Sequence, residues 1–221
     1  MAIIHRTTMV PTKLELLASW LPGQPWYAGM GDAARLTKAG GFRLDDPDGA
    51  VGLEFMAVTD ESGDQPVTYH VPLSYRGTPL TGGDDGLVGT SEHGVLGLRW
   101  IYDGTRDPLM VAQMFALLQG DAEPQAQSIS DTPDPSVTRS LTGNTGRSPI
   151  EILRVTDGPR STDVLVRPTA APGTVAIRVR RVLTPSQPGI AAGTLGHITA
   201  EWTPPRSAPA RGRFIVLRVG D

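Results

Sequence analysis

The sequence predicts an α+β fold, in which a helix packs on an antiparallel sheet and a mostly β, antiparallel unit follows. Apolar residues recur at helical spacing near the N-terminus, and short apolar runs separated by turn residues come after them. The 221 residues include 26 glycines and 20 prolines, which favours many turns and short strands over long helices. A hydrophobic share of 39% suffices for a core.

The first helix is predicted over residues 13–21, with Pro11 or Thr12 at its start. Its apolar side chains recur at spacings of 3, 4 and 7, so they lie on one face. Pro22 and Gly23 end the helix. The apolar residues are Leu14, Leu17, Ala18 and Leu21.

The residues after this helix predict an antiparallel meander. A loose alternation over residues 34–44 is interrupted by Asp-Asp-Pro-Asp-Gly at residues 45–49, which is a hairpin turn signal. We expect Trp100 to point inward from the last strand. The later strands of the meander cover residues 51–59, 67–75, 87–89 and 95–102.

A second helix is predicted over residues 109–119. Asp107 is its expected N-cap, Pro108 its first helical position, and Gly120 its end. Methionine at helical spacing indicates core packing rather than a cofactor site. The apolar stripe consists of Met110, Met114, Leu117 and Leu118.

Composition divides the chain into three parts: an α+β domain over residues 1–120, a flexible linker or long loop over 121–149, and a β-rich unit over 150–221. Few residues of the middle part can be buried, because it is rich in Pro, Ser, Thr and Asp. The strands predicted for the last part cover residues 150–156, 163–167, 174–183, 196–202 and 211–219.

Charge is unevenly distributed. Residues 1–147 hold 10 basic and 18 acidic side chains, whereas residues 148–221 hold 10 and 5, and all of those later basic residues are arginines. Two interpretations stay open. Either the two halves attract one another, or the arginines bind phosphate or carboxylate groups of a ligand.

Several classes of protein are disfavoured. The chain has no cysteine, which excludes disulfides, and no apolar run approaches the roughly 20 residues of a membrane span. The N-terminus lacks the pattern of an export signal, so we expect a cytoplasmic protein that does not bind membranes.

Metal sites are not indicated. Asp46, Asp48, Gly49 and Glu54 do not have the order of a calcium loop, and a solvated turn explains them. The histidines never pair at spacings of three or four residues, so no zinc site is expected. They are His5, His70, His93 and His197.

Arginines alternate along residues 175–183. Arg178 and Arg180 are expected on one face of a strand, and Arg181 on the other face with Val179. No aromatic residue is interleaved, and the net charge is −3, so nucleic-acid binding is not expected. A solvated face, or a contact with the acidic half, explains the arginines.

Residues 21–29 read Leu-Pro-Gly-Gln-Pro-Trp-Tyr-Ala-Gly and place Trp26 and Tyr27 between glycines and prolines. These two side chains are expected to anchor the first helix to the core. The alternative is that they, with Trp100, form a ligand site or an interface, for example by stacking on a sugar ring.

This stretch resembles the opening signature of the N-terminal cap domain of actinobacterial maltokinases and their glucosamine-kinase relatives. Residues 69–73 (Tyr-His-Val-Pro-Leu) are similar to that family's Tyr-Gln-Val-Pro-Leu, and residues 102–118 to the Tyr-Asp-Ala and helix that close the cap. The resemblance covers roughly residues 10–120. It implies a cystatin-like cap, an actinobacterial origin and a link to α-glucan or trehalose metabolism.

The resemblance extends to the strands that cover ATP in these kinases, which implies a vestigial kinase N-lobe. Arg178 lies where the kinases have a phosphate-binding lysine, so the resemblance makes Arg178 a candidate ligand for ATP. Residues 158–162 depart from the family's loop. The sequence has neither the His-Gly-Asp catalytic loop nor the Asp-Phe metal-binding motif, so we expect no kinase activity from this chain alone.

The resulting hypothesis is a non-catalytic binding or regulatory module that has a protein partner or associates with itself, with no resident cofactor, metal or catalytic residue. One alternative is a module that binds a nucleotide or a sugar between its two halves through Arg178 or Trp26. Another is a component of an ATP-dependent sugar kinase whose catalytic residues come from a different chain.

Overall fold

The structure is a computed structural model that describes residues 8–29, 33–129, 131–142, 148–186, 189 and 191–220. Helix α1 spans Lys13–Trp20 and helix α2 spans Pro108–Gln119, and short 3₁₀ helices cover Leu21–Gly23, Asp84–Gly86 and Gly104–Arg106. The strands are β1 (Met9–Val10), β2 (Leu36–Leu44), β3 (Gly52–Asp60), β4 (Val67–Arg76), β5 (Leu87–His93), β6 (Gly97–Asp103), β7 (Gln125–Ala126), β8 (Thr138–Leu141), β9 (Ile150–Asp157), β10 (Ser161–Pro168), β11 (Val175–Arg180), β12 (Thr194–Trp202) and β13 (Ala210–Val219).

The strands form one sheet in the order β1-β5-β6-β4-β3-β2-β12-β13-β11-β10-β9, with β7 beside β2 and β8 beside β12. The pairings described are antiparallel, which agrees with the predicted α+β, sheet-rich class. A single residue pair, Trp202 with Gly40, joins β12 to β2.

A second set of hydrogen bonds closes part of this sheet into a ring. The N–H of His70 on β4 donates to the carbonyl of Arg181 over 2.8 Å, and the N–H of Leu183 donates to the carbonyl of Thr68 over 2.8 Å. Residues 181–183 directly follow β11 and carry its ladder onto β4. The ring therefore runs β4–β3–β2–β12–β13–β11 and returns to β4.

Helix α1 begins with the capping box that its first residues encode. The Thr12 hydroxyl accepts from the Glu15 N–H, and the Glu15 carboxylate accepts from the Thr12 N–H. Leu17 and Leu21 are fully buried in a cluster with residues of β3 and β4. This burial confirms the predicted apolar face.

Helix α2 agrees with the prediction at both ends. The Asp107 carboxylate accepts from the Leu109 N–H over 3.0 Å, and Pro108 is the first helical residue. Gly120 has φ of +84°, the left-handed conformation that ends helices and favours glycine. The predicted stripe of Met110, Met114, Leu117 and Leu118 is buried.

The larger core cluster contains residues from both sides of the predicted linker. The ring centres of Phe42 on β2 and Phe214 on β13 lie 6.1 Å apart, and Phe42 stacks on Phe55 at 4.4 Å. Burial of such rings supplies the main stabilisation of a core this size. Other buried members are Met114, Leu118, Val164, Ile177, Ile198 and Trp202.

The structure differs from the prediction in three strands and at Trp100. Strands β1, β7 and β8 were not predicted, and β7 and β8 lie within residues 121–149. Strands β7 (Gln-Ala) and β8 (Thr-Arg-Ser-Leu) have little apolar sequence to signal them, and β1 has only two residues, too few to show an alternation. Trp100 is only half-buried, because its neighbour Ile101 takes the inward position and joins the core. No helix among the described residues is both long and apolar enough to cross a bilayer.

Candidate functional site

Trp26 is a core residue rather than an exposed platform. Its side chain is 1% exposed, and its ring centre lies 5.7 Å from Trp20 and 5.9 Å from Tyr69. The guanidinium carbon of Arg181 lies 4.7 Å from the centre of the Trp26 ring, a cation–π geometry. A ligand therefore has no open face of Trp26 to stack on.

Tyr27 is fixed by its neighbours in the same region. Its hydroxyl donates to Asp60 Oδ2 over 2.8 Å, and its ring stacks on Tyr69 at 5.7 Å. The Tyr69 hydroxyl accepts from the N–H of Ala28 over 2.9 Å. Burial raises the pKa of Tyr69 to about 12, so its hydroxyl stays protonated. The aromatic signature is thus an anchor built on Tyr69.

Arg181 is a fully buried arginine at the junction between β11 and β4. Its Nη2 pairs with Asp103 and donates to Thr105 Oγ1 over 2.9 Å, and its Nε donates to Thr162 Oγ1 over 2.8 Å. A buried charge is tolerated only when it is paired and hydrogen-bonded. Asp103 and its partners provide that compensation between distant parts of the chain.

A second ion pair extends this junction toward the surface. Arg106 pairs with Asp157 Oδ2 over 2.5 Å, and the Thr162 hydroxyl donates to Asp157 Oδ1 over 2.6 Å. Thr162 therefore bridges Asp157 and Arg181. These contacts join the acidic and basic halves in both directions, and the predicted contact with the acidic half is confirmed for Arg181.

Arg178 is already engaged by a carboxylate. Its Nε and Nη2 donate to the two oxygens of Asp163 over 2.7 and 2.6 Å, across the β10–β11 ladder. This bidentate geometry is the strongest arrangement of an arginine–carboxylate pair. Both side chains are about one third exposed, so the pair lies on the outer face of the sheet.

Further arginines surround this pair and form what we call the arginine face. The register places Arg180 opposite Ser161, and Arg218 opposite Ala176, on the side of the sheet that carries Arg178. Partial burial, followed by the charges of the surrounding arginines, lowers the pKa of Arg180. The arginine face consists of Arg160, Arg178, Arg180, Arg213 and Arg218.

Residues 20–107 match the family model of the maltokinase N-terminal cap domain. The resemblance to that family is confirmed over this region. No curated protein matches the chain. The matched residues, here called the cap region, include Trp26, Tyr27 and Asp103, whereas Arg181 and the arginine face lie outside them.

The cap region is thus completed by residues that the family model does not match. Residues 181–183 pair with β4 of the cap region, and Val182 packs against its apolar cluster. Arg181 is the counterion of Asp103, which lies in the family motif at residues 102–104. The part of the chain after the cap region therefore contributes to the environment of the family's own signature residues.

The cap region also contains a buried carboxylate, Glu54. It pairs with Lys13 over 2.5 Å and accepts from the Tyr75 hydroxyl over 2.5 Å and from Gln127 Nε2 over 2.8 Å. Burial alone would raise the pKa of Glu54, but these donors outweigh it and hold that pKa below the ordinary value. The Glu54 carboxylate joins helix α1 to the sheet, a role that was not predicted because its partners are distant in sequence.

The turn at residues 45–49 is held by Asp46, which is buried rather than solvated as predicted. Asp46 is buried and accepts from the N–H groups of Asp48, Ala50 and Val51. Among the described residues, no three acidic or histidine side chains gather at distances suited to a metal ion. His5 lies outside those residues.

His70 occupies the interior of the ring. It is fully buried, and its ring lies 4.6 Å from Phe214 and 5.9 Å from Phe55. Burial, and then the charge of Arg181, lowers the pKa of His70 to about 3. His70 is therefore neutral at physiological pH. Sequence reasoning missed this role, because a single histidine in a strand has no distinguishing spacing.

Proposed function

We propose that the chain is a non-catalytic binding module whose arginine face binds an acidic protein partner. The observation that carries the proposal is the concentration of guanidinium groups around Arg180, where the carboxylate of Asp163 pairs with Arg178. The positive charges of neighbouring guanidinium groups repel one another. An anionic partner that neutralises these charges therefore gains favourable electrostatic contacts.

A carboxylate-bearing protein suits this surface for two reasons. The Arg178–Asp163 pair gives an example of bidentate carboxylate binding on the same face. Among the ion pairs of the described residues, none includes Arg180, Arg213 or Arg218, so an acidic segment can contact these three without displacing Asp163 from Arg178. A second copy of this chain, whose first 147 residues have an acidic surplus, is one such partner.

The missing kinase motifs support a non-catalytic role, and the pairing of Arg178 adds to that support. The family resemblance makes Arg178 a phosphate ligand, but its two donors on one side already serve Asp163, and a phosphate would have to displace that carboxylate. The cystatin-like description of the cap region, an actinobacterial origin and a link to α-glucan or trehalose metabolism belong to the same proposal and rest on the resemblance. A cytoplasmic location also belongs to it and rests on the N-terminal sequence and the lack of cysteine.

The test is the affinity of the protein for a poly-glutamate peptide, measured by calorimetry at low and at physiological salt. We expect binding that weakens as salt rises, and a loss of at least about tenfold in the double variant Arg180→Glu/Arg218→Glu. Arg167→Glu is the matched control, since Arg167 lies on the same sheet but pairs with the exposed Glu151. Equal affinity in all three proteins would contradict the proposal.

Separate experiments test the two alternative functions, a nucleotide- or sugar-binding module and a kinase component. Calorimetry with ATP and with maltose tests a nucleotide- or sugar-binding module, and binding of either at micromolar concentration would favour it over an acidic partner. A coupled kinase assay, with and without candidate partner chains, tests a kinase component. ATP-dependent phosphorylation of a sugar that is lost in Arg178→Ala would favour that alternative.

A further inference from the structure

A cleft of about 360 Å³ lies at the junction between the cap region and the rest of the chain. Its wall on the cap side is formed by Ala28 and residues 66–68, and the facing wall by residues 182–185 and by Trp202. This junction cleft has the size of a small-molecule site, for which about 300 Å³ is the usual lower bound. The remaining lining residues are Pro159, Arg160, Pro204 and Ala210.

The lining of the junction cleft is largely apolar. Four prolines, at positions 66, 159, 185 and 204, and Trp202 supply rigid apolar surface, while Thr68 and Thr184 add hydroxyl groups. Most ligand sites combine such a lining with a few polar groups that fix the ligand's orientation. An aliphatic or aromatic body therefore suits the interior of the cleft.

Arg160 is the charged residue in this lining. It is exposed, and no carboxylate in the described part of the chain pairs with its side chain. The backbone of Arg160 is fixed, because its carbonyl accepts from the N–H of Arg181 over 2.9 Å. Arg180 lies close enough for the two charges to interact, so the mouth of the cleft is electropositive.

We propose that the junction cleft binds a small organic acid, with its apolar body against the prolines and its acid group at Arg160. The ligand is expected to carry an acid group because Arg160 is positively charged. A neutral ligand of the same shape would leave Arg160 without a partner. The site shares Arg160 with the arginine face, but it also needs the cleft, which the other four arginines of that face do not line.

The probe is 1-naphthoic acid, compared with 1-naphthalenemethanol, which has the same body but no charge. Binding is followed by two-dimensional NMR of the labelled full chain. We expect shifts confined to residues lining the cleft, a dissociation constant on the order of 1 mM for the acid, and weaker binding of the alcohol by at least about fivefold. No shifts at 5 mM acid, about five times that constant, would overturn the proposal.

Two variants locate the site. Arg160→Gln should remove the preference for the acid over the alcohol, and Thr184→Trp, at an exposed position of the lining, should weaken the binding of both. Arg218→Glu should leave the binding of naphthoic acid within about twofold, because Arg218 does not line the cleft. Binding that is unchanged in both Arg160→Gln and Thr184→Trp would also overturn the proposal. Thr184→Trp should keep its affinity for poly-glutamate. Measuring both ligands therefore distinguishes a failure of the cleft proposal from a failure of the proposed function.

Discussion

Arg181 lies beneath Trp26, with its guanidinium carbon 4.7 Å from the centre of the indole ring, and no part of either side chain is appreciably exposed. Trp26 belongs to the cap region, and Arg181 directly follows β11. The same guanidinium pairs with Asp103 at the end of the cap region. One buried arginine therefore joins the cap signature to the β-rich part of the chain.

Asp103→Asn should destabilise the protein by about 3–5 kcal/mol, because it leaves the buried charge of Arg181 without a counterion. Urea unfolding at pH 7 gives the free energy of unfolding. Glu151→Gln breaks the exposed pair with Arg167 and should cost less than about 1 kcal/mol. Replacing both partners, as Asp103→Leu/Arg181→Met, should recover part of the loss. A cost of Asp103→Asn no greater than that of Glu151→Gln would contradict this account.

Trp26→Ala should cost about 3–5 kcal/mol, since it removes a large side chain that is 1% exposed and packed between Trp20, Tyr69 and Arg181. Trp100→Ala, at a half-buried position on β6, is the matched control and should cost about 1 kcal/mol. The comparison uses thermal and urea unfolding of both variants. Similar costs for the two tryptophans would mean that Trp26 is not the anchor described.

Most regular elements could be predicted from local signals. The capping box at Thr12 and the Asp107-Pro108 start of α2 are encoded within four residues, and the turn at residues 45–49 is encoded by its own side chains. Short strands such as β7 and β8 could not be predicted, because pairing with β2 and β12 stabilises them rather than their own sequence.

The candidate sites were less predictable than the elements. Strand alternation placed Arg178 and Arg180 on one face and Arg181 on the other, as the structure has them. The partners could not be predicted, because Asp103 and Arg181 are 78 residues apart and the pairing depends on the closed ring. The sequence does not tell whether Trp26, Tyr27 or Trp100 is buried. Only the fold shows that Trp26 is a core anchor and that Trp100 is a half-buried strand residue.

The stability of the protein should fall as the pH drops below about 6.5, because His70 is buried and neutral. Burial lowers the pKa of His70 to about 3 in the folded state, so the unfolded chain binds the proton more tightly between those values. We expect a loss of about 2 kcal/mol between pH 7 and pH 5 from urea unfolding. His70→Gln should remove this dependence. His197→Gln should remove less of it, since His197 is only half-buried. An unchanged slope in His70→Gln would contradict the assignment.

Asp107→Asn should cost about 2 kcal/mol at pH 7 while keeping the N-cap of α2, because asparagine caps helices but cannot pair with Arg76. Burial opposes ionisation, yet donors on Arg76 and Ser74 hold the pKa of Asp107 below its ordinary value. The stabilisation by the carboxylate is therefore present above about pH 4 and is lost as the pH falls further. The difference between variant and wild type should shrink in that range. A difference that stays constant from pH 7 to pH 3 would argue against the ion pair.

The footprint of an acidic partner on the protein tests the binding module most directly. With poly-glutamate added to the labelled chain, amide shifts should concentrate on β11, β13 and the β9–β10 turn, where the arginine face lies. Arg180→Glu/Arg218→Glu should abolish them, and Arg167→Glu should not. Shifts that map instead to the cap region, or that survive the double charge reversal, would contradict the account.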